Sequence, residues 1–152
     1  MHSFNLFADY FQFYLQDEAV DGNLSDAWTD EAVARLLAVA PGTVGVGTVR
    51  NMEVPVTLEV MPAAPPLNVA AYDHVVECSL SVGGEQLVIA GCTDYFPDAA
   101  RIAIAPGSYR VRVCFSGLES LSEDGLDGDD RYHLQIWPAP LANIAVVKQR
   151  AA

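Results

Sequence analysis

Basic side chains are scarce. The 152-residue chain carries eight Lys and Arg against twenty Asp and Glu, a formal net charge of −12, with Lys148 as the single lysine. DNA, RNA and anionic lipid surfaces would repel such a protein, which excludes nucleic acid and membrane as main partners. Cysteine is sparse and its count is odd, since Cys78, Cys92 and Cys114 cannot all pair within one chain. Met1 to Phe7 lacks a basic n-region and Asp9 interrupts the apolar stretch, so the opening residues do not read as a secretory leader. Reduced thiols and a cytoplasmic location are the expectation. No apolar run approaches the roughly 18 residues of a membrane helix. There is no internal repeat of 20–50 residues and no β-helix-β rhythm, which argues against a solenoid and against a parallel α/β sheet.

What is present is a globular composition. Hydrophobic residues make up 51% and charged residues 18%. The length is that of one domain, residues 1–152, able to bury roughly 70% of its unfolded surface without a disulfide or metal staple.

Most of the chain alternates with period two. Val54, Val56, Leu58 and Val60 share one face of residues 52–61; Pro55, on the other face, predicts an edge strand or a bulge. Val76, Cys78, Leu80 and Val82 point inward from the next strand, and Gly83-Gly84 turns it into residues 85–92. Tyr109, Val111, Val113 and Phe115 face the core while Arg110 and Arg112 face water, and Tyr132, Leu134 and Ile136 face the core from residues 131–137. Residues 4–15 fit either a helical stripe or a strand; their aromatic density favours a strand with a bulge. One helix is signalled near residues 30–39. Thr29 is its N-cap, Asp30 and Glu31 lie in its first turn, Trp28 and Val33 form a staple, Val33, Leu36 and Leu37 make its apolar face, and Pro41-Gly42 ends it. The pattern predicts an all-β, antiparallel β-sandwich of seven to eight strands with one short helix.

Chemistry-bearing constellations are few. His74 and Cys78 stand four apart on a strand, roughly 13 Å between Cα atoms at about 3.3 Å per residue, too far to share a zinc ion. Cys114, between arginine positions, could carry a lowered pKa, but no His is placed to activate it. Gly42-x-x-Gly45-x-Gly47 has no following Lys-Ser/Thr and lies in strand periodicity, so it is no phosphate cradle. Arg110, Arg112 and Arg131 form either a basic stripe or cross-strand pairs with acids. No cofactor or metal site and no catalytic set emerges.

The sharpest anomaly is residues 119–130, where Glu119, Glu123, Asp124, Asp127, Asp129 and Asp130 occur without a base. With the seven acids of residues 9–31 they hold thirteen of the twenty carboxylates, so the negative charge is lumped. The segment reads as a solvated loop, a calcium loop or a partner-facing patch. Against calcium, Leu126 occupies a position where the loop pattern from Asp124 needs an oxygen ligand. Trp137 departs from the alternation of its strand and reads either as cover for a sandwich edge or as an interface anchor beside the acids.

Four blocks occur in one order: Tyr10-Phe11-Gln12-Phe13, Trp28-Thr29-Asp30-Glu31-Ala32, Arg50-Asn51 and Pro106-Gly107-Ser108-Tyr109. This layout, over roughly residues 8–115, resembles the competence protein J family, inhibitors of the nuclease that admits DNA into transformable bacteria. The resemblance implies a small non-enzymatic protein whose partner is a protein, a nuclease, which it binds and blocks. Residues 119–130 and Trp137-Pro138 lie outside the matching blocks. Many nucleases present a cationic groove to DNA, and clustered carboxylates would steer this chain to such a groove. The partner-binding residues expected are therefore Glu119, Glu123, Asp124, Asp127, Asp129, Asp130 and Trp137. A calcium- or ligand-binding sandwich module and an immunity protein for a different toxin are the alternatives.

Overall fold

Alternation along the chain becomes two packed sheets in the computed structural model, which describes residues 1–151. The strands are β1 (His2–Phe7), β2 (Gln12–Asp17), β3 (Leu37–Ala40), β4 (Thr43–Gly47), β5 (Glu53–Val60), β6 (His74–Val82), β7 (Gln86–Gly91), β8 (Ala100–Ala103), β9 (Gly107–Ser116), β10 (Arg131–Pro138) and β11 (Ala145–Lys148); the helix α1 is Asp30–Arg35. One sheet has the order β1-β5-β10-β9-β6-β11 and the other β3-β4-β2-β7-β8. Every pair is antiparallel except β5 with β10, which run parallel. This is the expected all-β sandwich with one short helix. No helix among the described residues is long and apolar enough to cross a membrane.

The inward residues expected on β6, β9 and β10 all lie in the core. At its centre Phe13, Phe115 and Tyr132 pack edge to face, with ring centroids 5.9 and 5.6 Å apart. The strand total exceeds the expected seven to eight for local reasons. Residues 4–15 are not one bulged strand: β1 and β2 belong to different sheets, joined by a 3-10 turn over Asp9–Phe11. The helix is also shorter than residues 30–39. Thr29 caps it as expected, its hydroxyl accepting from the Ala32 N–H at 3.2 Å. Leu36, in a left-handed conformation, ends it before Pro41-Gly42 is reached. Leu37 then pairs with Val46 as the start of β3. Pro55 sits in a strand flanked on both sides, not at an edge. It is opposite Asn5 of β1, and the ladder to β10 begins only at Val56, so the missing N–H lies at the end of that pairing.

Part of the outer face of the six-stranded sheet is covered. The chain around Pro65 and around Ala142 and Asn143 lies over β9, and Arg110 and Arg112 are buried there, contrary to the expectation that they face water. Glu77 takes both, its two oxygens 3.2 Å from Arg110 Nε and 2.9 Å from Arg112 Nε. Arg112 also donates to the carbonyl of Pro65 and to Gln135 Oε1, and Arg110 to the carbonyls of Ala142 and Asn143. Cross-strand pairing thus accounts for these two arginines.

Candidate partner-binding surface

The acidic loop is a closed excursion between β9 and β10. It starts at Gly117, whose φ of +67° and close approach to the Asp129 carbonyl exclude a side chain. Inside it, the Asp124 carboxylate accepts from the Ser122 hydroxyl at 2.6 Å and the Leu126 N–H at 3.0 Å, while Asp129 N–H donates to Ser120 Oγ at 2.7 Å. The Ser122 hydroxyl and the Leu126 N–H hold the Asp124 carboxyl below its ordinary range, so it stays ionised through neutral pH. Glu119, Glu123, Asp124, Asp127 and Asp129 are exposed. Among the described residues, Asp130 and Glu77 are the carboxylates paired with arginine, and Glu59 lies 3.5 Å from His133. Among the described residues, the loop carboxylates other than Asp130 have no cationic side chain within 4 Å, and no group of three or more His, Cys, Asp or Glu able to hold a metal forms.

Two of the expected contact residues are elsewhere. Asp130 is 0% exposed: Arg50 Nε donates to its Oδ1 at 2.6 Å and the Tyr132 hydroxyl to its Oδ2 at 2.7 Å. Burial, then the Asp130 bond, pushes the Tyr132 phenol well above its ordinary pKa, so it remains a donor. Asp130 is therefore a structural anchor at the loop base and not a surface charge. Trp137, 6% exposed, has Arg112 4.8 Å from its ring centroid and is packed against that buried cluster. It lies on a central strand, between β5 and β9, rather than over a sandwich edge.

Cys78, Cys114 and His74 are likewise buried. Burial pushes Cys78 up to about 12 and Cys114 up to about 11, overturning the idea of an activated Cys114. His74 is fully buried, not at a sheet edge: Nε2 meets the Arg35 carbonyl at 2.7 Å and Nδ1 accepts from the Arg150 N–H at 3.1 Å. His133 Nδ1 lies 2.5 Å from Thr57 Oγ1 on the sheet's outer face.

A second surface escaped the sequence reading. Tyr10, Phe11, Gln12, Trp28, Val33, Leu36, Gly47, Thr48 and Arg150 enclose a groove of about 480 Å3. Its floor exists because of glycine. A Cβ at Gly45 would stand 2.9 Å from Trp28 Cζ2, and one at Gly47 3.2 Å from the Leu36 Cα, so the two glycines let Trp28 and the end of α1 lie flat on β4. The Trp28 indole donates to Gln12 Oε1 at 2.9 Å. Tyr10, Phe11 and Val33 stay 70%, 52% and 56% exposed. Tyr10, Phe11 and Leu36, the non-glycine residues with positive φ among the described residues, all line this groove. The sequence signal was the pair of blocks carrying the family resemblance, Tyr10-Phe11-Gln12 and Trp28, which meet here.

Groove and acidic loop adjoin. Arg150 lines both the groove and a hollow of about 440 Å3 that includes Leu118 and Glu119. Thr48, on the groove, donates its hydroxyl to the Arg50 carbonyl at 2.8 Å, and Arg50 reaches the carbonyl of Leu126 at 3.3 Å. The molecule is thus a two-sheet sandwich presenting an apolar groove beside an unneutralised acidic loop. Among solved structures, ComJ, the inhibitor of the DNA degrading activity of NucA from Bacillus subtilis, shares this fold with a TM-score of 0.72 at 19% identity, over 91% of this chain and 96% of ComJ. Crocagin biosynthetic gene J matches at 0.61 and 18% identity, over the same 91% and 96%. No family model and no curated protein sequence matches the chain. At these identities the likeness is one of fold.

Proposed function

We propose that this chain is a non-catalytic inhibitor that occludes a cationic nuclease with its acidic loop. The observation that carries the reading is the set of five exposed carboxylates, Glu119, Glu123, Asp124, Asp127 and Asp129, left without arginine partners on a sandwich shared with a nuclease inhibitor. Clustered charge of one sign raises association rates well above the neutral value of about 10⁵–10⁶ M⁻¹s⁻¹. Its reach is a Debye length, about 8 Å at physiological salt, so the carboxylates must lie at the contact. Binding rather than chemistry is further supported by Cys78 and Cys114, whose burial disfavours the thiolate a nucleophile needs.

The test is inhibition of DNA degradation by NucA and by any nuclease encoded beside this chain's gene. The wild type should inhibit one of them, with an association rate that falls as salt rises. A variant combining Glu123→Gln, Asp124→Asn, Asp127→Asn and Asp129→Asn should associate at least tenfold more slowly at low salt. Absence of inhibition of both enzymes, or an association rate indifferent to the four substitutions, defeats the proposal.

A further inference from the structure

The groove beside the acidic loop is built to stay open. Tyr10, Phe11 and Leu36 hold φ near +59°, a conformation that costs a non-glycine residue of order 1 kcal/mol or more. The surrounding backbone imposes it. Phe11 N–H donates to the Ala8 carbonyl at 3.1 Å and its carbonyl accepts from Thr48 at 2.8 Å; the Leu36 carbonyl accepts from Gly47 at 3.0 Å. Aromatic side chains that would gain by burial are instead fixed at the surface, already ordered for contact.

The rim is acidic. Asp9 accepts the Tyr10 N–H at 3.1 Å, Asp30 and Glu31 occupy the first turn of α1 between Trp28 and Val33, and the acidic loop adjoins through Arg50 and Arg150. Arg150 is the cation at the groove itself. An apolar centre within a charged rim is the anatomy of a protein interface. A second copy of this chain would set its own carboxylates against these, a like-charge juxtaposition for a molecule of net charge −12. A small polar ligand would find few partners, since the Gln12 oxygen is engaged by Trp28.

We propose that the groove receives an apolar side chain, aromatic or leucine-sized, carried on an extended segment of a cationic protein with Lys or Arg on either side of it. This rests on the occlusion reading for the class of partner, and assigns the acidic loop to the approach and the groove to the grip. Charge at the rim acts on the association rate, while a buried apolar anchor acts on dissociation.

The surface can be probed without the nuclease. Three blocked peptides, Lys-Arg-Phe-Leu-Lys-Arg, Lys-Arg-Gly-Ser-Lys-Arg and Gly-Ser-Phe-Leu-Ser-Gly, are titrated into the full ¹⁵N-labelled chain. The first should shift the amides of Phe11, Val33 and Thr48 and the Trp28 indole N–H; the second should shift only residues 119–129; the third should bind at least tenfold more weakly than the first. Val33→Asp should reduce the first peptide to the footprint of the second. Phe11→Asn should do the same while holding or raising the melting temperature, because asparagine tolerates the left-handed conformation. One footprint for both cationic peptides, equal groove binding by the neutral peptide, or a dimer dissociated by Val33→Asp overturns the inference. Failure to inhibit any nuclease with the groove footprint intact removes the occlusion reading alone.

Discussion

Arg50 and Asp130, eighty residues apart, meet at 2.6 Å beneath the acidic loop, where the Asp130 side chain is fully buried. The pair joins the β4–β5 connection to the start of β10, and Tyr132 closes it from the core side. Removing one partner leaves a charge buried without compensation, which costs about 3–5 kcal/mol. Asp130→Ala is therefore expected to lower stability by about 3 kcal/mol, read as a reduced urea midpoint. Asp129→Ala, one residue away and exposed, should stay within about 0.5 kcal/mol.

Acid should destabilise the fold in two stages. His74 is held below 6.5 mainly by burial, with the Arg150 charge acting in the same direction and its bond to the Arg35 carbonyl opposing. A lowered imidazole pKa gives stability that is complete above the unfolded value and is lost as pH falls below it. Burial tends to raise Asp17, but the N–H groups of Gly83, Ala19 and Gly84 outweigh it and hold the carboxyl below 3.8. Its contribution is complete above the ordinary carboxylate value and lost as pH falls through the lowered one. The melting temperature should decline below about pH 6.5 and again below about pH 4. His74→Gln should flatten the first decline and Asp17→Asn the second.

Gly45 is expected to resist enlargement. A Cβ there meets Leu24 Cδ1 at 2.8 Å and Trp28 Cζ2 at 2.9 Å. Gly45→Val should cost about 1–3 kcal/mol through overpacking. It should also break the Trp28–Gln12 bond and shift the indole N–H resonance of Trp28, leaving that of Trp137 in place.

Thiol reactivity should separate the three cysteines. Cys92 is exposed, though burial of part of the side chain and the nearby Asp9 raise its pKa. Cys78 and Cys114 are buried. A disulfide reagent should titrate one thiol per native chain, slowly at neutral pH and faster as pH rises, and three in denaturant. Cys92→Ser should abolish the native reaction.

Local pattern carried much of this architecture. Alternation in β6, β9 and β10 named the core residues correctly because side-chain direction in a strand repeats every two residues whatever lies around it. Thr29 announced the start of α1 because capping is settled within four residues. Its end was not legible: the left-handed turn at Leu36 answers to the pairing of Leu37 with Val46 and to the seat provided by Gly47.

The sequence by itself determined that the chain is acidic, β-rich and lumped in its charge, since composition and two-residue periodicity are local quantities. Tertiary structure alone decided which polar residues face water. Arg110, Arg112 and Asp130 alternate outward or sit in polar segments, yet each is buried, because segments distant in sequence fold across them and supply Glu77 and Arg50. Tyr10, Phe11, Trp28 and Val33 likewise become one groove only when β2, α1 and β4 are brought together, which no spacing along the chain encodes.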